Sequence, residues 1–237
     1  MIFGIILERH RFWDKMKNIF PSELLPNDMN WDHPCNKLHV GDNSAVITVA
    51  RGASTTVCAL HKLVSECSAK YILRIGTAGG LCENLSLGDC VLSSASIRDE
   101  GTSRFYLDTR IPAVSPYFEV LSLYNALNKQ KVRTHVGLSL TTDGRWKETV
   151  EMLRNYNRLG ALTVDMETSA LFSAGMDIGI PALSLSMVTD FPVFDTSEYI
   201  GIIPPQRWDM QILPRFGEIF ACCINWMTHY VATPKEN

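Results

Sequence analysis

The stretch that most constrains this chain is Tyr71-Ile72-Leu73-Arg74-Ile75-Gly76-Thr77-Ala78-Gly79-Gly80-Leu81. Tyr71, Ile72, Leu73 and Ile75 form a short apolar run, the pattern of a strand buried on both faces. Arg74 interrupts it, and an unpaired charge inside such a strand costs several kcal/mol in order of magnitude. Gly76, Gly79 and Gly80 follow, reading as a glycine-rich turn whose backbone N–H groups are open to a ligand. Two arrangements satisfy this pattern. In one, Arg74, Thr77 and the Gly76 region form an anion cradle at a strand end. In the other, the segment is a tight turn and a neighbouring carboxylate satisfies Arg74.

A chain of 237 residues suits one α/β domain spanning 1–237. With 20% charged residues and a net charge of −3, it has no general attraction for nucleic acid or an anionic membrane. An anion has to be held by a local cluster. Seven cysteines without a C-x-x-C motif or zinc spacing read as reduced thiols of a cytoplasmic protein. The apolar start, Met1 to Leu7, is too short for a signal peptide or a membrane span.

Periodicity and breakers predict strands over Ile2–Leu7, Lys37–Val40, Ala45–Val49, Tyr71–Ile75, Cys90–Ile97, Val132–Thr141, Ala161–Val164 and Ala182–Thr189. Helices are predicted over Phe12–Phe20, Thr55–Ser68, Ser115–Lys129, Glu148–Asn155, Glu167–Gly175 and Pro214–Tyr230. Phe191 to Gln206, rich in Pro and Gly, is a candidate flap. Strands and helices alternate, and in open α/β sheets ligands bind where strands end.

Four strand ends carry chemistry: Arg74 with Thr77, Thr142 to Trp146, Asp165-Met166-Glu167, and Thr189-Asp190. Each has two readings. Asp165 and Glu167 either complement a helix dipole or, for Glu167, accept bonds from vicinal hydroxyls. Asp190 either caps the next element or has a functional part at the strand end. Trp146 is either a core residue or a flat surface on which a base stacks.

Taken together these segments resemble the uridine phosphorylase and hexameric purine nucleoside phosphorylase family. The resemblance is carried by Leu73 to Leu81 with Leu87-Gly88-Asp89, Arg98 to Ser103 with Tyr106, Thr141-Thr142-Asp143, Val164 to Leu171, and Val188-Thr189-Asp190. It runs in order from about Val46 to Asp190. It implies a three-layer α/β/α fold with a mixed central sheet. It also implies phosphorolysis of a purine nucleoside or uridine to free base and ribose 1-phosphate, within nucleoside salvage. By the same resemblance, Arg74, Gly76 and Thr77 bind phosphate, with Arg74 also catalytic. Met166 and Glu167 bind ribose; Trp146, Arg145 and Asp190 bind the base, with Asp190 its proton donor. Inorganic phosphate is the co-substrate, no cofactor or metal is needed, and the chain forms a homo-oligomer, either a dimer or a hexamer.

The chain departs from that pattern near its beginning. The family's Gly-Asp-Pro-x-Arg turn is here Glu8-Arg9-His10-Arg11, so Arg9 or Arg11 is left to take up the phosphate. Its Gly-x-Gly-x-Pro-Ser turn is here Ala50 to Thr55, lacking the first Gly and the Pro. Arg145 replaces an aromatic, and no histidine-bearing segment precedes the first strand. Two rivals therefore stand beside phosphorolysis: a nucleosidase that uses water, of the AMP or methylthioadenosine type, and a non-catalytic storage or binding relative. Asp190 favours a purine, which offers N7 to an acid, whereas Glu100 to Ser103 is closer to the uridine type.

Overall fold

Alternation in β1 (Ile2–Leu7) sets the layers of the molecule. Phe3, Ile5 and Leu7 enter one apolar cluster and Ile6 enters another, so β1 is buried on both faces. The computed structural model describes residues 1–25, 34–194 and 207–230. After β1 come α1 (His10–Met16), β2 (Glu23–Leu24), β3 (Asn36–Val40), β4 (Asn43–Val49) and α2 (Ala53–Ser65). Then follow β5 (Tyr71–Gly80), β6 (Cys90–Asp99), β7 (Ala113–Val114), α3 (Tyr117–Lys129), β8 (Thr134–Thr142) and α4 (Val150–Arg158). The described chain continues with β9 (Ala161–Asp165), α5 (Thr168–Asp177), β10 (Ala182–Asp190) and α6 (Leu213–His229).

The sheet is mixed, in the order β10-β6-β8-β9-β5-β1-β4-β3-β2. Parallel pairs join β4, β1, β5 and β10, while β10 meets β6, and β5 meets β9, antiparallel. Because β10 also pairs with β5, the strands β10, β6, β8, β9 and β5 close on themselves. The expected three layers are present. Phe12, Met16, Leu123, Phe216 and Phe220 of α1, α3 and α6 cover one face. Val57, Leu60 and Leu63 of α2, with Leu171 and Phe172 of α5, cover the other. No helix among the described residues is long and apolar enough to cross a membrane.

The differences from expectation have local causes. The glycines after Ile75 do not turn the chain: β5 runs straight through to Gly80. They are glycines because neighbours lie too close for a side chain. A Cβ on Gly79 would stand 2.9 Å from Pro192, and one on Gly80 2.5 Å from the Phe191 ring. The first helix is His10–Met16 rather than Phe12–Phe20, and it buries Phe12, Trp13 and Met16. Strands β2 and β7, two residues each, are too short to show a period. Of the candidate flap, Phe191–Phe194 forms a turn and residues 195–206 lie outside the described residues.

Two strand lengths position the site. β1 stops at Leu7, which pairs with Ile75, and β9 takes up β5 again only at Gly79. Between them, Thr77 and Ala78 have β10 on one side and no strand on the other. A backbone N–H left over in a buried sheet needs another acceptor, and that gap is where the cleft lies.

The α1–α6 contact should dominate stability of the outer layer. Phe12 and Phe216 stack with ring centroids 3.7 Å apart, and both are fully buried. Phe216→Ala is expected to cost about 3–5 kcal/mol, read as a lower urea midpoint at unchanged slope.

Candidate active site

Arg74 leaves β5 toward the α2–α5 layer and is 0% exposed. Its charge is balanced by three carboxylates. Nη2 donates to Glu167 Oε2 and lies 3.5 Å from Glu8 Oε2, and Nη1 lies 3.8 Å from Asp165 Oδ2. Nη1 also donates to Ser186 Oγ at 2.9 Å and Ser184 Oγ at 3.2 Å, both on β10. Burial opposes the guanidinium's charge, but Glu167, Asp165 and Glu8 together push its pKa above the ordinary value. In the structure protein acids satisfy Arg74, as in the second arrangement read from the sequence, though on a straight strand and not in a tight turn.

The leftover donors of β5 meet the same acid. Thr77 N–H and Thr77 Oγ1 both donate to Glu8 Oε2, at 2.5 and 2.7 Å. Glu8 Oε1 lies 3.2 Å from Arg9 Nε and 3.8 Å from Arg51 Nε. Burial raises the pKa of Glu8, yet Arg74, Arg9 and the two Thr77 bonds outweigh it and leave the carboxyl below its ordinary range. Glu8 is thus held as an anion in the cradle expected for a phosphate.

Glu167 precedes α5 and is tied at both oxygens, Oε2 to Arg74 and Oε1 to the Gly52 N–H at 2.7 Å. Burial and the nearby Glu8 and Asp165 charges outweigh Arg74 and raise its carboxyl to about 7. Asp165 has a structural part. It accepts from Thr141 Oγ1 at 2.7 Å and from the Thr168 hydroxyl, and so joins β8, β9 and α5. The other family-like segments are wired the same way. Arg98 donates to the carbonyls of Leu107, Asp108 and Ile111, Glu100 accepts from Ser169 Oγ at 2.8 Å, and Asp143 accepts from Gly101 N–H at 2.9 Å.

The cleft is lined by Glu8, Arg9, Thr77, Arg145, Glu148, Met166, Glu167 and Asp190 among others. Its cavity is about 40 Å³, room for a few waters. The structure therefore brings together Arg9, Thr77, Arg145, Met166, Glu167 and Asp190, with Arg74 behind them. Asp190 ends β10 and accepts from Thr189 Oγ1 at 3.0 Å; Arg207 shares a neighbouring cleft with it.

Three expected residues lie elsewhere. Arg11 points away on α1 and pairs with Asp209 at 2.6 Å, because Arg9 lies in the connection after β1 whereas Arg11 is already inside the helix. Gly76 does not line the cleft. Its missing Cβ makes room for Arg74, whose Nη2 would lie 2.6 Å from one. Trp146 is 74% exposed, in a 3-10 turn over Arg145–Lys147, and lies under the Arg145 guanidinium at 5.8 Å rather than in the cavity.

Sequence reasoning assigned no role to Glu8 and passed over Glu148. Glu8 carried a signal in standing where a Gly-containing turn was expected. Glu148 carried none, since an acid before a helix is ordinary. Among the described residues no group of three or more His, Cys, Asp or Glu side chains could hold a metal ion.

The fold is a mixed α/β sheet with a cleft at the stretch of β5 that β1 and β9 leave unpaired. The chain belongs to the phosphorylase superfamily, whose family model matches residues 39–202. This bears out the family read from the motifs. A DeoD-type purine nucleoside phosphorylase of Buchnera aphidicola is 27% identical over 151 residues, 63% of each chain. A guanosine phosphorylase of Halorubrum lacusprofundi is 26% identical over 153 residues, 65% of this chain and 63% of that one. The alignments thus span less than two thirds of the length of these relatives. Uridine phosphorylase from Vibrio fischeri superposes with a TM-score of 0.79 at 22–23% identity, over 95% of this chain and 90% of that one, which shows the shared fold.

Glu148 gives a pH test of the cleft. Burial, reinforced by Asp190 and opposed by Arg145, raises its carboxyl to about 7. The folded state then holds a proton that the unfolded state releases at lower pH. Its contribution is most favourable in acid and is lost as pH rises through about 7. Glu148→Gln is expected to raise Tm relative to the wild type at about pH 8 and to change it far less at about pH 5. Equal shifts at both would remove the perturbed acid.

Proposed function

We propose that the chain is a nucleoside phosphorylase that cleaves the N-glycosidic bond of a nucleoside with inorganic phosphate. One observation carries this reading. Arg74 Nη2, Thr77 N–H and Thr77 Oγ1 converge on a single point, and an anionic oxygen, that of Glu8, is held there. A cation backed by backbone and hydroxyl donors is a recognition set for phosphate oxygens.

The remaining lining residues fit the rest of such a substrate. Glu167 and the Met166 backbone border the cradle and are assigned to the ribose hydroxyls. Asp190, with Arg145 and Glu148, is assigned to the base. A phosphate oxygen bonds to C1′ as the C1′–N bond breaks, and the bonding pair leaves with the base. Asp190 gives its proton to N7 of a purine, so that free base and ribose 1-phosphate are released. Holding phosphate and sugar together supplies the proximity term, and the residues assigned to this step require no cofactor.

The relatives named purine nucleoside and guanosine phosphorylase support a purine, and the uridine phosphorylase fold leaves uridine in the substrate class. Under this reading residues 1–237 act as one cytoplasmic domain in a homo-oligomer, dimer or hexamer, whose partners are small molecules rather than nucleic acid or membrane. The exposed Tyr117, Phe118 and Leu121 of α3 give that assembly an apolar face. Hydrolysis is the second reading, favoured by the carboxylate already in the cradle, since water needs no anion site. Free ribose formed at the same rate without phosphate would select it.

Asp190→Asn is expected to slow kcat on a purine nucleoside by about 10²–10⁴-fold and on uridine much less, since only the purine takes a proton at N7. Equal loss on both would remove the acid role.

A further inference from the structure

We infer that Glu8 is an internal competitor for the phosphate subsite, so that phosphate binds only by displacing its carboxylate from Thr77 and Arg74. This deepens the phosphorolysis reading and rests on it. Glu8 Oε2 takes both Thr77 donors, at 2.5 and 2.7 Å, and lies 3.5 Å from Arg74 Nη2. These are the donors a phosphate oxygen would use, and the remaining Arg74 Nη bonds go to Glu167, Ser184 and Ser186.

Charge argues the same way. Glu8, Asp165 and Glu167 already face the single buried guanidinium within 4 Å, with Arg9 and Arg51 on the outer side of Glu8. A phosphate dianion beside an ionised Glu8 would set like charges against each other in a nearly dry site. Space argues it a third time, because the cleft is about 40 Å³ where Glu8 and Arg9 form part of its wall.

The displaced carboxylate has a place to go. Glu8 follows the last residue of β1, and Arg9 and Arg51 stand toward the rim, where the Arg51 side chain is 45% exposed. Swinging outward, Glu8 keeps both cations and gives up only the Thr77 donors and Arg74. Glu8 is therefore a specificity-determining residue for the co-substrate. It sets how much phosphate is needed, and it keeps the cradle satisfied when phosphate is absent.

The test is calorimetric titration of the full chain with inorganic phosphate, in the wild type, Glu8→Gln and Glu8→Ala. Glu8→Gln keeps an acceptor for Thr77 and guards against misfolding, and Glu8→Ala empties the position. Both variants are expected to bind phosphate about tenfold or more tighter than the wild type, because a like-charge contact is removed. The KM for phosphate should fall in parallel. Binding that is equal or weaker in the folded variants overturns the inference, for Glu8 then helps to hold phosphate or has no part in it. Product analysis separates the two levels. Tighter phosphate binding without ribose 1-phosphate from any purine or pyrimidine nucleoside keeps the competition and removes phosphorolysis. Ribose 1-phosphate with unchanged phosphate affinity does the reverse.

Discussion

The site depends on one guanidinium kept fully out of water. Arg74 sits on a central strand with paired neighbours, and its charge is tolerated because Glu167, Glu8, Asp165, Ser184 and Ser186 surround it. Breaking a buried pair by deleting one partner commonly costs about 3–5 kcal/mol, because the other charge is then stranded. The same electrostatics raise Glu167 and lower Glu8, two carboxyls on one cation. Burial raises both carboxyls, and the balance of donors against neighbouring like charges decides each outcome. Glu8 has the two Thr77 donors and Arg9 in addition to Arg74, whereas Glu167 has the like charges of Glu8 and Asp165 beside it.

The layout of strands makes this cluster possible. If β1 ran two residues further, the Thr77 N–H would be spent on a neighbouring strand and no cradle would exist. Because β1 ends and β9 begins on either side of Thr77 and Ala78, the donors face a cleft. Residues from the ends of β1, β5, β9 and β10 meet there.

Much of this was legible in the sequence. The apolar run around Arg74 gave the first half of β5, the alternation of elements gave an α/β class, and the ordered motifs gave the family and through it the three-layer mixed sheet. Arg9, Thr77, Arg145, Met166, Glu167 and Asp190 do converge. What could not be read was which partner each side chain takes. Gly76 looks the same in a sequence whether a ligand or Arg74 fills its empty side. Arg9 and Arg11 differ only in standing before or inside α1, and the helix start at His10 decides that. Trp146 turned outward because its segment forms a short exposed turn. Closure of five strands into a ring left no mark, since it depends on β10 reaching both β5 and β6.

That ring gives the cleft two walls of unequal stiffness. Arg74, Thr77 and the last residues of β10 stand on strands laced to their neighbours, so this wall is fixed before any ligand arrives. The rest of the lining stands on connections: Glu8 and Arg9 between β1 and α1, Arg145 and Glu148 between β8 and α4, and Met166 and Glu167 between β9 and α5. Accommodation falls to those connections: changes in the ring register as global loosening of the fold, and changes in the connections as altered admission of ligands.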